Sequence, residues 1–342
     1  MMVTLTVGEM ERAYLVLRGT SVLDWRRLKV TSRAECEAIL RVNGFDPRDA
    51  SDQAHLNLMR LSAIDYLERT LRFSFASKMR SAESVIDLML LAAGTNAVLR
   101  REACAVLKVM MVVHHIEARE LKARLNISDH ALFHLLEDKA AGVIAEMQER
   151  GYPIVDFQSS RKTHDSIVTK LLGKRQGNRA LIYDMLRFRI VTATIEEIVP
   201  VVAYLSQHLF PFHYTVAAES HNSLFDLRDY VRRHPRSAKI IKELEVDLLN
   251  ESERYDIPNP DTSDTFKVVN FIVDLPLRLE DRQLEVWAPG LRLPSRVVHV
   301  LAEFQIVDQV SYRHNEMGDA RHERYKDRQL AKVRKRLFRD MV

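Results

Sequence analysis

Apolar residues recur at helical spacing through roughly the first 150 residues of the chain. The longest such stretch runs from residue 54 to residue 73, and Asp52 is its predicted N-cap. Its apolar positions lie three or four residues apart: Leu58, Leu61, Ile64, Leu67 and Leu71. This spacing predicts a long helix.

Other helices are indicated by their caps and by the same periodicity. Ser32 and Glu35 have the spacing of a capping box, and Ser128 is a predicted cap further along. The segments 83–93 and 97–113 continue the helical pattern, with a break at Gly94. Almost nothing before residue 150 is typical of a strand, so a helical N-terminal domain is expected over residues 1–140.

The pattern changes after Pro153, where polar and apolar residues begin to alternate. Residues 186–191 have the period of two that predicts a strand, and the runs 266–275 and 296–307 are rich in Val, Ile and Phe. Helices are predicted over 196–209 and 315–338. Strands mixed with helices predict an α+β protein, whose second domain (residues 141–342) is a mixed β-sheet flanked by helices.

One polar stretch, residues 215–265, is too long for an ordinary connection and is interpreted as an insertion. A helix is predicted inside it, over residues 238–249.

Composition and charge narrow the class of protein. The net charge is +4, but residues 157–190 hold eight Lys/Arg against two Asp/Glu, and residues 321–339 hold nine against two. Such clusters suit binding of a polyanion, which would be a nucleoside triphosphate or RNA, although either cluster could be a solvated face.

Cys36 and Cys104 are expected to be buried thiols in a reducing compartment. Without a signal-peptide pattern or a long apolar run, we expect a cytoplasmic protein that does not enter a membrane.

Glu303 is a carboxylate near the centre of the predicted strand 297–307. Burying it is costly unless it is paired or bound to a metal. It is therefore a candidate metal ligand or general base, and the alternative is an edge strand with a solvated polar face.

Asp184 lies where the strand around Leu186 begins. Alone it could be a turn or cap residue. Two carboxylates on neighbouring strands are also what Mg²⁺-dependent phosphoryl transfer requires, because Mg²⁺ takes one or two carboxylates and leaves its other positions to water and phosphate.

The basic segment 159–179 could grip phosphates, since Lys162, Ser166 and Lys170 are spaced by four and Arg161 lies beside them. Neither GxxxxGK[ST] nor GxGxxG occurs, so it is not a Walker loop. A basic RNA-binding helix is the alternative. Elsewhere, His130 and His134 lie four apart and His114 and His115 are adjacent, but ordinary histidines are favoured over a metal site.

Four short motifs, in the order in which they follow one another along the chain, resemble those of the synthetase domain of the RelA/SpoT alarmone synthetases. Lysines flank a Ser-Ile pair, an aspartate opens a strand with an arginine five residues on, a later strand has Glu-x-Gln-Ile, and His-x-x-Tyr-Lys follows it. The matching residues are Lys162, Ser166, Lys170, Asp184, Arg189, Glu303, Gln305, His322, Tyr325 and Lys326. The resemblance covers about half of the chain.

The resemblance implies a nucleotidyltransferase-like fold and a role for each matching residue. Asp184 would bind Mg²⁺, and Glu303 would be the base for the acceptor 3′-hydroxyl or a second ligand. Lys162, Lys170 and Arg189 would contact the phosphates of ATP, with Ser166 beside them.

The segment that carries the acceptor site in the family, Gly-Tyr-x-Ser-Leu-His, is largely replaced here. Its counterpart places Phe266 where the base-stacking tyrosine stands and Asn270 at the histidine. The expected arginine before Lys162 is Ser160, with Arg161 displaced by one. The ATP half of the site is thus better kept than the acceptor half.

The implied activity is an ATP- and Mg²⁺-dependent pyrophosphokinase that modifies the 3′-hydroxyl of a nucleotide, as (p)ppGpp synthetases of the stringent response do. A toxin-like relative acting on the tRNA 3′ end is a variant that the basic C-terminal helix suits. A catalytically silent nucleotide- or RNA-binding regulator is the alternative from another class. The helical part lacks the His-Asp order of an alarmone hydrolase.

Overall fold

The computed structural model describes most of the chain. The described residues are 5–19, 28–76, 79, 82–173, 182–216, 219–233, 266–291, 295–317 and 322–338. The polar stretch is covered at its beginning, whereas the helix predicted over 238–249 lies outside the described residues.

The described part of the N-terminal half is helical, as the periodicity predicted. Its helices are α1 (Val7–Arg18), α2 (Arg33–Val42), α3 (Ala50–Arg69), α4 (Val85–Ala93), α5 (Ala97–Arg124) and α6 (Asp129–Glu149). The Ser32 side chain caps α2 by accepting from the Glu35 amide (3.3 Å). Ser128 is the N-cap of α6, but its side chain makes no capping hydrogen bond.

The prediction that Asp52 caps the long helix is wrong. Asp49 is the N-cap of α3, and its carboxylate accepts from the amides of Ser51 (2.8 Å) and Asp52 (3.0 Å). Asp52 lies inside the helix, where it is buried and accepts a hydrogen bond from Arg278. Because Asp49 also precedes the periodic stretch, it satisfies the free amides one turn earlier.

Of the apolar residues that predicted α3, Leu67 is buried but most of the others are not. Leu58, Leu61 and Leu71 are exposed, whereas Leu56 and Met59 are buried. The buried side also includes polar residues such as Asp52, so burial does not follow hydrophobicity along this helix. The periodicity therefore identified the helix but not the face it packs.

The second half contains a five-stranded mixed sheet in the order β1-β2-β5-β4-β3. Its strands are β1 (Ile154–Arg161), β2 (Leu186–Thr192), β3 (His221–Asn222), β4 (Val269–Arg278) and β5 (Val297–Asp308). β2 and β5 are parallel, and the other neighbouring pairs are antiparallel. The α+β fold class is confirmed.

Helices flank this sheet. They are α7 (His164–Gly173), α8 (Ile198–His208), α9 (Leu227–Arg233), α10 (Asp281–Trp287), α11 (Gln309–Asn315) and α12 (His322–Leu337). The helix predicted over 315–338 corresponds to α12. A separate helix that was not predicted, α11, precedes it directly after β5, where Asp308 caps it by accepting from the Val310 amide (2.9 Å).

The strands β1 and β3 were not predicted. Both lie at the edges of the sheet, where one face or one side of the strand meets solvent and the apolar pattern is weak. β1 has the sequence IVDFQSSR and is mostly half-buried or exposed. β3 is two residues long, and it pairs with β4 inside the stretch interpreted as an insertion.

The core of the sheet lies on the face that the aromatic side chains share. Phe304 of β5 is fully buried, with ring centroids 5.3 Å from Phe188, 5.1 Å from Phe210 and 5.4 Å from Phe271. α8 covers this face, and the buried apolar residues form one cluster that extends from α1 to β5. The division into domains at residue 140 stays a prediction.

The helices also meet the sheet at the start of β5. Gly44 has φ +90°, a left-handed conformation, and a Cβ on it would stand 2.8 Å from Val297 Cγ2. Close packing of the α2–α3 connection on β5 therefore requires glycine here.

Two further expectations concern the cysteines and membrane-spanning helices. Cys36 and Cys104 are buried free thiols, and burial raises the pKa of Cys36 to about 11. Within the described residues, none of the helices is both long enough and apolar enough to cross a bilayer.

Replacing Phe304 by alanine should lower the free energy of unfolding by about 3–5 kcal/mol, because it removes a ring that three others contact and leaves a cavity. Urea denaturation followed by circular dichroism measures the change. Leu58→Ala, at an exposed position on α3, is the matched control and should stay within about 0.5 kcal/mol of wild type. Equal effects of the two substitutions would contradict the core described above.

Candidate active site

The parallel register of β2 and β5 aligns polar side chains on the face opposite the aromatic core. Arg187 pairs with Glu303, and Arg189 pairs with Gln305. β5 lies between β2 and β4, so the alternative of an edge strand with a solvated face does not hold for Glu303. Glu303 is 7% exposed. A carboxylate is therefore held in the middle of the sheet.

Three neighbouring side chains satisfy the Glu303 carboxylate. Arg187 donates through Nε to Glu303 Oε2. Gln305 donates to Glu303 Oε1 at 3.4 Å, and the Asn270 amide, oriented to satisfy its neighbours, donates to the same oxygen at 2.9 Å. Asn270 reaches it from β4, where it pairs in register with Gln305. These contacts fix the orientation of Glu303.

Asp184 is held just before β2 by two lysines. Lys162 Nζ lies 2.5 Å from Asp184 Oδ2, and Lys170 Nζ lies 2.6 Å from Oδ1. Lys162 is placed by the β1–β2 ladder, which its amide extends by donating to Met185 O (2.9 Å). Lys170 comes from the last turn of α7. Residues separated along the chain thus converge on one carboxylate.

Arg187 joins the two carboxylates. Its Nη2 lies 3.7 Å from Asp184 Oδ2 while its Nε donates to Glu303. Asp184 and Glu303 therefore face the same cleft, on the same side of the sheet. A shared role of the two residues in one site would require this arrangement.

The electrostatics of the cleft show opposing effects. Burial raises the pKa of Asp184, but Lys170 and Lys162 lower it more, so it lies well below its usual range. For Lys162, burial lowers the pKa more than Asp184 raises it, and Lys170 lowers it further. Two lysines share one carboxylate, which leaves this part of the cleft short of negative charge. An anion such as phosphate would supply it.

A shallow pocket lies beside this cleft, at the C-terminal end of β5. Arg189 donates to Gln305 Oε1 at 3.2 Å, and its guanidinium lies 5.8 Å from the centre of the Tyr312 ring and 3.6 Å from Glu316 Oε1. The full lining is Arg189, Phe266, Val268, Gln305, Val307, Tyr312, Asn315 and Glu316. The structure thus brings Phe266, a partly exposed aromatic side chain, next to Arg189 and Gln305.

Other candidates lie further from the carboxylates. Arg161 forms an ion pair with Glu137 of α6, and Ser166 accepts a hydrogen bond from Thr163 (2.9 Å). His322, Tyr325 and Lys326 belong to the first half of α12, but their side chains lie outside the described part of the chain. α12 packs on α7, where Arg336 donates to Leu172 O at 2.9 Å.

Arg187 is the site residue that the sequence interpretation missed. It stands two positions before Arg189 on the same strand, so the period of two already places both side chains on one face. A cation on the face of the sheet that carries Glu303 was the missing partner of that carboxylate. Its pairing could be inferred once β2 and β5 were taken as neighbours.

No protein-family model matches the chain, and no curated protein matches it. Among solved structures, the fold is similar to small alarmone synthetase 2 from Bacillus subtilis, with a TM-score of 0.31, 20% identity, and coverage of 63% of this chain and 95% of that one. It is also similar to small alarmone synthetase 1 from Bacillus subtilis bound to its product pppGpp, with a TM-score of 0.31, 15% identity and coverage of 60% and 86%.

A GTP pyrophosphokinase family protein from Streptococcus pneumoniae gives a TM-score of 0.32 and 13% identity, with 62% of this chain and 85% of that chain covered. These proteins are of the kind that the sequence motifs resemble. At such TM-scores and identities, the similarity says nothing about the site or its activity.

Substituting Asp184 by asparagine should destabilise the fold at neutral pH by about 2 kcal/mol, because two partly buried lysines lose their counter-charge. Since the pKa of Asp184 is below the ordinary 3.8 in the folded state, its contribution is present above that pH and declines as the pH falls through the folded value. Urea unfolding of both proteins should therefore give a difference that is smaller at pH 3 than at pH 6. A difference that does not change with pH would argue against the ion pairs.

Proposed function

We propose that the protein is an ATP- and Mg²⁺-dependent pyrophosphokinase, which transfers pyrophosphate to the 3′-hydroxyl of an acceptor nucleotide. The observation that carries the proposal is the cleft in which Arg187 bridges Asp184 and Glu303 while Lys162 and Lys170 converge on Asp184. Phosphoryl transfer depends chiefly on positioning and charge stabilisation, which such a set of groups can supply.

The donor half of the site would hold the phosphates of ATP. Lys162 and Lys170 are already within one cleft, and Arg187 and Arg189 follow on the adjacent strand. Arginine and lysine bind phosphate oxygens through charge-assisted hydrogen bonds, and arginine does so with two donors. A triphosphate would therefore find several cations along the cleft.

Asp184 and Glu303 have the type of ligand atoms that bind a magnesium ion. Each offers carboxylate oxygens, the ligand type that Mg²⁺ prefers, and both face the same cleft. When bound, Mg²⁺ would neutralise charge on the phosphate oxygens. Lys162, Lys170 and Arg187, which now contact these carboxylates, would then turn their donors toward phosphate.

The acceptor half would lie toward Phe266. In the proposed reaction, the 3′-oxygen of the acceptor bonds to the β-phosphorus of ATP, the bond between that phosphorus and the α–β bridging oxygen breaks, and AMP leaves. Glu303 would take the hydroxyl proton, because it is a buried carboxylate whose orientation is fixed by Arg187 and Asn270. Phe266 is partly exposed in the adjoining pocket and could stack on the acceptor base.

A tRNA 3′ end is a second candidate acceptor, supported by the basic helix α12. That helix packs on α7, which carries Lys170. Its last turn holds Arg334, Lys335 and Arg336. A basic surface next to the proposed donor site would suit the phosphates of RNA. A catalytically silent nucleotide- or RNA-binding regulator is the alternative without transfer.

The transfer assay tests the proposal directly. Wild-type protein with Mg²⁺ and ATP labelled at the γ-phosphate should move label to one of GDP, GTP, ATP or tRNA, with AMP formed in equal amount. Asp184→Asn and Glu303→Gln should each lower the rate at least about 100-fold, because they remove a charge or a base from the reacting groups. Asp165→Asn, whose side chain is fully exposed at the start of α7, is the matched control and should keep the wild-type rate.

Two results would count against the enzyme. One is a wild-type protein that transfers no label to any of the four acceptors. The other is transfer that Asp184→Asn and Glu303→Gln leave unchanged. Binding of ATP without transfer would favour the silent regulator instead.

Binding of ATP should depend on the lysines separately from catalysis. Lys170→Ala should weaken ATP binding about 10- to 100-fold, since it removes a charge-assisted contact. Arg101→Ala, an exposed cation on α5, should leave the dissociation constant unchanged and controls for net charge. Isothermal titration with a non-hydrolysable ATP analogue and Mg²⁺ measures both, and equal dissociation constants would place the phosphates elsewhere.

A further inference from the structure

A second polar cluster lies on the same face of the sheet, at the opposite end of β5. It consists of His115 from α5, Asp274 from β4 and His299 from β5. His299 precedes Glu303 by four residues, which is about 13 Å along a strand. The cluster is therefore separate from the carboxylates of the proposed active site.

The three side chains meet closely. The Nδ1 atoms of His115 and His299 are 3.0 Å apart, and His115 Nε2 lies 3.5 Å from Asp274 Oδ2. One ligand atom from each residue can be chosen so that all three lie within 4.8 Å of one another. Zinc–nitrogen bonds of about 2.0–2.1 Å place neighbouring tetrahedral ligands about 3.3 Å apart, so small rotations of these side chains suffice to bind one ion.

His299 is the least hydrated member of the cluster. It is 2% exposed, and its Nε2 atom is buried with no hydrogen-bond partner among the described residues. A hydrogen bond between the two facing Nδ1 atoms satisfies one proton and one lone pair and leaves the other side of His299 unmatched. A neutral histidine pair is thus an incomplete explanation of this arrangement.

Two further histidines near the cluster, His114 and His213, are held by hydrogen bonds to Asn43. His114 Nε2 bonds with Asn43 O at 3.1 Å, and His213 Nε2 bonds with Asn43 Oδ1 at 3.0 Å. His114 and His213 have imidazole rings packed beside His299 and Tyr214. Ring packing against His114 and Tyr214 restricts the orientation of His299.

The cations nearest to the cluster have other contacts or face solvent. Lys139 donates to Pro276 O at 2.8 Å, and Lys122 lies 3.5 Å from Asp129 Oδ1. Arg119 is exposed on α5. Asp274, in contrast, has a side chain only 14% exposed and points its carboxylate at His115. A buried carboxylate beside two imidazoles favours a cation between them.

We propose that His115, Asp274 and His299 bind one divalent transition-metal ion of the zinc class, which links α5 to the sheet. Two imidazole nitrogens and one carboxylate oxygen suit zinc and its neighbours, whereas Mg²⁺ prefers oxygen ligands alone. The three residues come from separate elements, so the ion would fasten the helical part to β4 and β5. This proposal does not depend on the pyrophosphokinase activity.

Metal titration of the full chain tests the site. The protein is purified without a histidine tag and freed of metal by a chelator. Wild-type protein should bind one Co²⁺ per chain with visible absorption bands, and Zn²⁺ should displace it. His115→Asn and Asp274→Asn should each weaken Co²⁺ binding at least tenfold. His134→Asn, whose side chain is 73% exposed on α6, is the control and should bind as wild type does.

Absence of a saturable cobalt spectrum in the wild type would overturn the proposal. So would unchanged binding in His115→Asn and Asp274→Asn. If a variant fails to fold by circular dichroism, X-ray absorption of the zinc-loaded wild type decides. Two imidazole ligands are expected there, and a shell of oxygen ligands alone would contradict the site.

Discussion

Glu303 occupies a position in the middle of a five-stranded sheet, where an unpaired carboxylate would cost several kcal/mol (roughly) in lost hydration. Arg187 offsets that cost, because it lies directly beside Glu303 on the parallel strand β2 and donates to its carboxylate. A shift of the register by one residue would turn Arg187 toward the aromatic core and leave Glu303 without its cation. The ion pair and the register of the two central strands therefore require each other.

The same alternation divides the sheet into two faces with different tasks. On one face, Phe188, Phe271 and Phe304 pack with α8 into the apolar core. On the other, polar side chains of β2, β4 and β5 point into clefts that helices border. Since the aromatic face is continuous and fully buried, it holds the strands rigidly enough to keep the carboxylates and cations on the other face at hydrogen-bond distance.

The sequence was sufficient for features that depend on local pattern. The helical first half and the strands β2, β4 and β5 are recognisable from spacing, and the motifs name Lys162, Lys170 and Asp184 as residues of one site. It was insufficient where partners are distant along the chain. Asp52 looks like a cap until Arg278, which follows it by more than two hundred residues, is seen to bind it. β1 was missed because edge strands carry little apolar pattern.

β5 carries both polar clusters, and their difference follows from what each end of the strand meets. The C-terminal half faces α7 and β2, whose lysines and arginines pair with Asp184 and Glu303 and are suited to phosphate. The N-terminal half faces α5, which contributes imidazole instead of ammonium. Imidazoles bind zinc-class ions, and lysine cations compete with any metal for the carboxylates. The chemistry proposed at each end of β5 thus depends on its neighbours as well as on its own Glu303 and His299.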